Sequence, residues 1–298
     1  MINASQLVIN DLTFINANIT EGSALLMVNS NVTTNNVVFK NSVANNGVIS
    51  ASGTKYLSNN DVFKDVTSTK NGGAIFIDKV KESYILNSSF TNCTSGFGGA
   101  ILALSSSVDI ENSTFVENGA VFDGGAVYVS WCNLTIFNST FTKTVPLENN
   151  DCYGAVLYCD HSSAVVNNTK IIDNIGYDTG VLYFYDSEFA VVNSTFKDNI
   201  NFDGKFDDIF SVFDLNDAVL INNTFSGEGS VSLKNTDYNI IVDLPGAKIT
   251  LINNSIVVDT LPAKFDSRDW GWITPVKDQA QLVFAGHLVQ LVQWKLQS

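Results

Sequence analysis

One phrase returns along most of this chain, and it limits the possible folds more than any bulk property does. It reads NDLTF to Phe14, NNVVF to Phe39, NNDVF to Phe63 and NSSF to Phe90, then NSTF to Phe115, Phe141 and Phe196, and NNTF to Phe225. Two further copies end in isoleucine, NNTKI at Ile171 and NNSI at Ile256. The intervals are 25, 24, 27, 25, 26, 30, 25, 29 and 31 residues. Between them lies a second phrase: NGGAIFI from Asn71, FGGAILAL from Phe97, DGGAVYV from Asp123, YGAVLYC from Tyr153 and a degenerate TGVLYFY from Thr179. Each unit is a short strand, a polar loop and a second short strand, with no helical period.

Strands of roughly three to six residues cannot bury an apolar face alone, but they can when successive units stack about 4.8 Å apart along an axis. The period of about 25 residues is too short for a propeller blade, and the Leu-rich pattern of a leucine-rich repeat is absent. The sequence therefore predicts an all-β fold, a parallel β-helix of about ten coils and about 45–50 Å over residues 1–258. The repeated Phe is expected to stack on its counterpart inside the solenoid. GGA should admit a tight turn, and the Asn before each strand suits left-handed corners and an axial amide ladder.

These repeats, in the form NSTFVENGAVFDGGAVYV, resemble the right-handed β-helix repeats of large surface proteins, including the adhesin-like proteins of methanogenic archaea. The resemblance covers roughly residues 3–258 and implies a right-handed solenoid on a cell surface.

Composition narrows the function. Thirty acids against 16 bases leave a net charge of −14, and the single arginine is Arg268, so a phosphate-binding groove for nucleic acid is excluded. No stretch of about 18 apolar residues marks a membrane span. MINASQLVIND shows no signal peptide, and since the chain opens in mid-pattern its start is expected to be incomplete.

Lyase or hydrolase chemistry has little to work with in the solenoid. A lyase on acidic sugars wants Arg or Lys as base and acids holding Ca²⁺, and a hydrolase wants two carboxylates at fixed separation. The solenoid has no arginine, and its one histidine, His161 in CDHSSAVV, reads as a surface loop residue. The acidic run NFDGKFDDIFSVFDLND, residues 201–217, reads as an inserted solvated loop, with Ca²⁺ or sugar as the sharper alternative; it lacks calcium-loop spacing. Cys93, Cys132, Cys152 and Cys159 lack metal-ligand spacing and read as buried thiols, a structural disulfide being the alternative. The offset between Cys152 and Cys159 would place them on opposite faces of one strand. No cofactor or metal is expected. Twelve N-x-[ST] sequons occur, mostly inside the repeated NST phrase, where the strand corner accounts for them; glycosylation is the alternative for an exported chain.

The repeat stops after Ile256, and LPAKFDSRDWGWITPVKDQ, residues 261–279, follows. This stretch resembles the start of the mature domain of papain-like cysteine peptidases, so residues 259–298 read as the truncated beginning of that α+β domain. The resemblance makes Gln279 the oxyanion-hole donor. It places the nucleophilic Cys at position 285, where this chain has Ala285. His287 sits two residues past that slot, the wrong place for the base, and the base His and its Asn have no counterpart before Ser298. Reading the codons one base out of register after Gln279 can spell CWAF, with Cys at position 285, so a frameshift near codon 279 is expected. An apolar amphipathic tail is the alternative.

The expected protein is an extracellular or cell-surface rod, adhesin-like and glycan-binding, attached to a peptidase that is inactive in this chain. Its expected partners are glycan or another cell's surface, with a peptide substrate only for an intact relative. A purely structural rod is the alternative, and a β-helix lyase or hydrolase ranks last.

Overall fold

The computed structural model describes residues 6–53, 55–147, 152–176, 180–201, 210–213, 217–226, 233–235, 238–239, 248–257 and 291–293. They form a parallel β-helix with three long sheets as its faces. The first face begins at Leu7–Asn10 and ends at Lys248–Ile252; the second begins at Thr13–Ile15 and the third at Leu25–Val28. Every neighbour along the first face is parallel and in register, for example Val108↔Leu134↔Ala164↔Phe189. No α-helix occurs among the described residues, hence none long and apolar enough to cross a membrane.

The number of complete coils is about eight, rather than the ten expected. The sequence count took one coil per Phe or Ile phrase, and those phrases lie on the second face alone. Beyond Phe210–Phe213 the described residues of the third face are Leu233–Asn235 and an antiparallel Tyr238–Asn239. Leu291–Gln293 adds an antiparallel strand to Ser255–Val257 at that end. The remainder of 259–298, with Gln279, Ala285 and His287, lies outside the described residues, and so does the expected peptidase-like segment.

The phenylalanine column forms as the repeat predicts. Phe14, Phe39, Phe63, Phe90, Phe115 and Phe141 stack with centroid spacings of 4.5, 5.6, 4.9, 4.6 and 4.4 Å. Ile171 takes the next place in register, and Phe196 and Phe225 resume at 5.0 Å. Burial of this column supplies most of what each short strand cannot supply alone.

The corner between the first and second faces explains the NST phrase. Its first residue is Asp11 in the first winding and an asparagine in each later one, from Asn36 to Asn253, with φ between 48° and 58°. Asparagine tolerates that left-handed conformation because its short amide bonds locally. The amides also form the expected ladder: Asn36 donates to Asp11 at 2.9 Å, Asn60 to Asn36 at 2.6 Å, Asn138 to Asn112 at 2.7 Å and Asn168 to Asn138 at 3.1 Å.

The next residue points inward, a role that sequence reading missed. Its side-chain oxygen accepts the corner N–H of the preceding winding. Ser88 N–H donates to Ser113 Oγ and Ser113 N–H to Ser139 Oγ, both at 3.1 Å, and Ser194 N–H donates to Asn223 Oδ1 at 2.9 Å. A buried corner N–H is thus satisfied by a side chain one coil on. The Asn and Ser of four sequons, at Asn87, Asn112, Asn138 and Asn193, therefore have backbone work to do.

In the third coil this place belongs to a carboxyl, Asp61, which is fully buried. Val37 N–H donates to its Oδ1 at 2.8 Å, and Thr34 and Ser58 hydroxyls donate to Oδ2 at 2.5 and 2.7 Å. Burial pushes the pKa of Asp61 up, against the pull of those hydrogen bonds. The fold therefore favours the neutral acid. Its contribution is fully present below the unfolded carboxyl value of about 3.9 and is lost as pH rises through the raised folded value. Asp61→Asn, a neutral isostere, is expected to melt above the parent near pH 7, with the gap closing toward about pH 3.5. Calorimetry across that range checks it; a gap that widens on acidification would contradict the assignment.

Candidate functional site

The corner between the third and first faces carries the chemistry. Its residues Asn29, Lys79, Ser105, Trp131, His161 and Asp186 all adopt left-handed backbone, with φ between 42° and 57°. That suits small or polar side chains, and a bulky indole is the exception among them. Trp131 is also 64% exposed. Its ring stacks on His161 at 4.4 Å with a 16° interplanar angle.

His161 is tied from both sides. Its Nδ1 meets Asp160 Oδ1 at 2.5 Å, and its Nε2 meets Asp186 Oδ2 at 3.2 Å. Asp160 is itself held, accepting from Ser130 Oγ at 2.7 Å. The imidazole side chain retains 31% exposure at a bend, a surface loop residue as the sequence suggested, and its two carboxylate partners fix the ring as a wall. Stacking of consecutive windings fixes it: residues about 30 apart in sequence become neighbours across one coil.

Trp131, Asn133, His161, Asp186 and Glu188 line an open groove of about 450 Å³ running across three windings. Its floor is backbone and small side chains. Cys132 N–H donates to Ser162 Oγ at 3.0 Å and Ser162 N–H to Ser187 Oγ at 2.9 Å, repeating the inward ladder of the other corner.

Beside the groove, the outer side of the third face carries Tyr128, Tyr158 and Tyr183, stacked at 4.9 and 5.0 Å. Burial pushes the Tyr128 phenol up to about 12. Near this column Asp123 accepts from Tyr153 N–H at 3.2 Å, and burial pushes its carboxyl up to about 6.

The four cysteines are free and buried, as expected. Cys152 and Cys159 do not share a strand: Cys159 lies in Leu157–Asp160, and Cys152 precedes the glycine turn before it. Burial pushes the Cys132 thiol up to about 11 and Cys159 well above the ordinary range. Both are thiols rather than nucleophilic thiolates at neutral pH. Among the described residues no three His, Cys, Asp or Glu side chains converge as a metal ion requires. The acidic run read as an inserted solvated loop, with Ca²⁺ or sugar as the alternative, lies largely outside the described residues, at 202–209 and 214–216.

Sequence reading named His161 but gave it no role, and it did not single out Trp131. The available signal was phase. WCN and HSS occupy the same point of consecutive repeats, so a bulky aromatic falls in a column of otherwise polar residues.

No family model matches the chain, and no solved structure matches it. The chain is similar to a metabotropic glutamate receptor-like protein R of Dictyostelium discoideum, 27% identical over 179 residues. The match covers 58% of this chain and 11% of that relative, so the chain spans about a tenth of the relative's length.

Proposed function

We propose that the chain is the binding rod of a surface-exposed protein, and that the Trp131 groove takes a glycan. One observation carries the reading: an indole held in left-handed backbone, largely open to solvent, with its ring backed by a fixed imidazole. A bulky residue kept in a disfavoured conformation where burial gains nothing is a mark of function over stability. Pyranose rings dock their C–H faces on such aromatic planes, while Asn133, Asp186 and Glu188 offer hydrogen-bonding groups beside them. The likeness to a receptor-like protein supports an exposed setting.

Glycan cleavage is the weaker alternative. A hydrolase needs an acid and a base flanking the scissile bond, whereas Asp160 and Asp186 are bridged through one histidine ring. The peptidase-like tail adds a proposal of its own, that an intact relative joins this rod to a cysteine peptidase.

Glycan-array screening followed by calorimetry tests the reading. Trp131→Ala is expected to weaken binding of any array hit by at least about tenfold, the loss typical of an aromatic anchor, with little change in melting because the ring is exposed. No hit on a broad array would leave the rod as a structural spacer, and unchanged affinity in the variant would rule out the Trp131 groove as the site.

A further inference from the structure

The charge around the groove narrows the ligand class. Two of its lining residues, Asp186 and Glu188, are acids, Asp160 stands behind the imidazole, and no lysine or arginine lines it among the described residues. The lysine at the same corner two windings earlier, Lys79, lies against Asp78 at 3.8 Å. The chain as a whole carries −14. A uronate or sulfated sugar entering this groove would meet like charge on its walls and in the surrounding field.

The aromatic surface points the same way. An exposed indole face carries the negative lobe of the ring quadrupole and attracts a cation set over it, most strongly among the aromatic side chains. His161 covers the other face of the indole, Asp186 and Glu188 line the groove beyond it, and an open groove leaves room for a chain rather than a single small ion.

We infer that the groove selects an amine-bearing glycan, a chain with protonated hexosamine units, laying one ring on the open face of Trp131 and setting its ammonium groups toward the carboxylates of Asp186 and Glu188 beyond the His161 ring. The inference rests on the glycan reading above and adds the ligand's charge to it.

Calorimetric titration of the full chain with three oligosaccharides separates the two claims: a glucosamine oligomer, its fully N-acetylated counterpart and a galacturonate oligomer. The glucosamine oligomer is expected to bind at least about fivefold more tightly than the acetylated one in about 50 mM salt, with the advantage shrinking in about 0.5 M salt as charges are screened. The galacturonate oligomer should not bind. Glu188→Gln should weaken the glucosamine oligomer more than the acetylated one and so reduce the glucosamine advantage, and Trp131→Ala should weaken both. Equal or tighter binding of the acetylated or galacturonate oligomer overturns the charge inference and leaves the glycan reading standing. Glucosamine binding indifferent to Trp131→Ala overturns it as mere attraction to an acidic surface. If none of the three binds and a broad array gives no hit, the glycan reading falls and the inference goes with it.

Discussion

Phe115→Ala is expected to cost about 3–5 kcal/mol of unfolding free energy, the range for deleting a buried aromatic ring. Phe115 is fully buried, between Phe90 at 4.6 Å and Phe141 at 4.4 Å. Truncation opens a ring-sized void in the middle of the column, and backbone hydrogen bonds on both sides hold the neighbouring coils apart. Collapse into the void is therefore limited, which puts the loss toward the upper end of the range. Coupling in a solenoid runs only between neighbours, so a break at the centre should also split denaturant unfolding into two transitions. Phe122→Ala is the control. That ring stacks on Phe97 at 4.9 Å but is 51% exposed, and its loss should stay within about 1 kcal/mol. Equal losses at the two positions would mean that Phe115 is not interior.

Gly99→Ala is expected to be comparably damaging, at about 4 kcal/mol or more, for a wholly different reason. A Cβ at Gly99 would lie 2.0 Å from the carbonyl oxygen of Gly125 on the next winding and 2.5 Å from that of Gly119. Both are backbone atoms, so relief requires two coils to separate. That strains Gly99 N–H to Gly124 O at 3.1 Å and Ala100 N–H to Ala126 O at 2.9 Å. The clash recurs along the axis, with Gly73 against Gly99 and Gly125 against Ala155. The second glycine of GGA thus lets coils touch, while the first, Gly98 with φ +60°, turns the chain. Gly22→Ala separates the two effects. Its Cβ meets nothing within 4 Å, and only the left-handed φ of +87° is penalised, at about 1 kcal/mol. Chemical denaturation of the three proteins measures both costs; a mild Gly99→Ala would mean the coils are not in contact there.

The solenoid was legible because stacking turns sequence period into spatial column. The Phe phrase, the Asn corner and GGA each recur at one phase, and each proves to have one structural role. The coil count was overestimated because the Phe phrase reports the second face and says nothing about the third. The inward serine of NST was hidden by the outward one-letter similarity of a sequon. The groove was legible only in part. His161 looks ordinary until the winding places Trp131 below it and Asp186 above it, a neighbourhood set by coil lengths rather than by any local motif. Gln279 and Ala285 lie outside the described residues.

The central claim is that successive windings lie directly above one another in register. Lys40, Lys64 and Lys197 test it, all exposed on the outer side of the second face and connected through Thr91, Val116, Thr142 and Ile172. Spin labels at Lys64 and Lys197, far apart in sequence, should lie about 24 Å apart by pulsed electron paramagnetic resonance, five windings at about 4.8 Å. Labels at Lys40 and Lys197 should read about 29 Å, one winding more. Distances that do not grow by about 5 Å per winding would contradict the stacked coil and every column built on it.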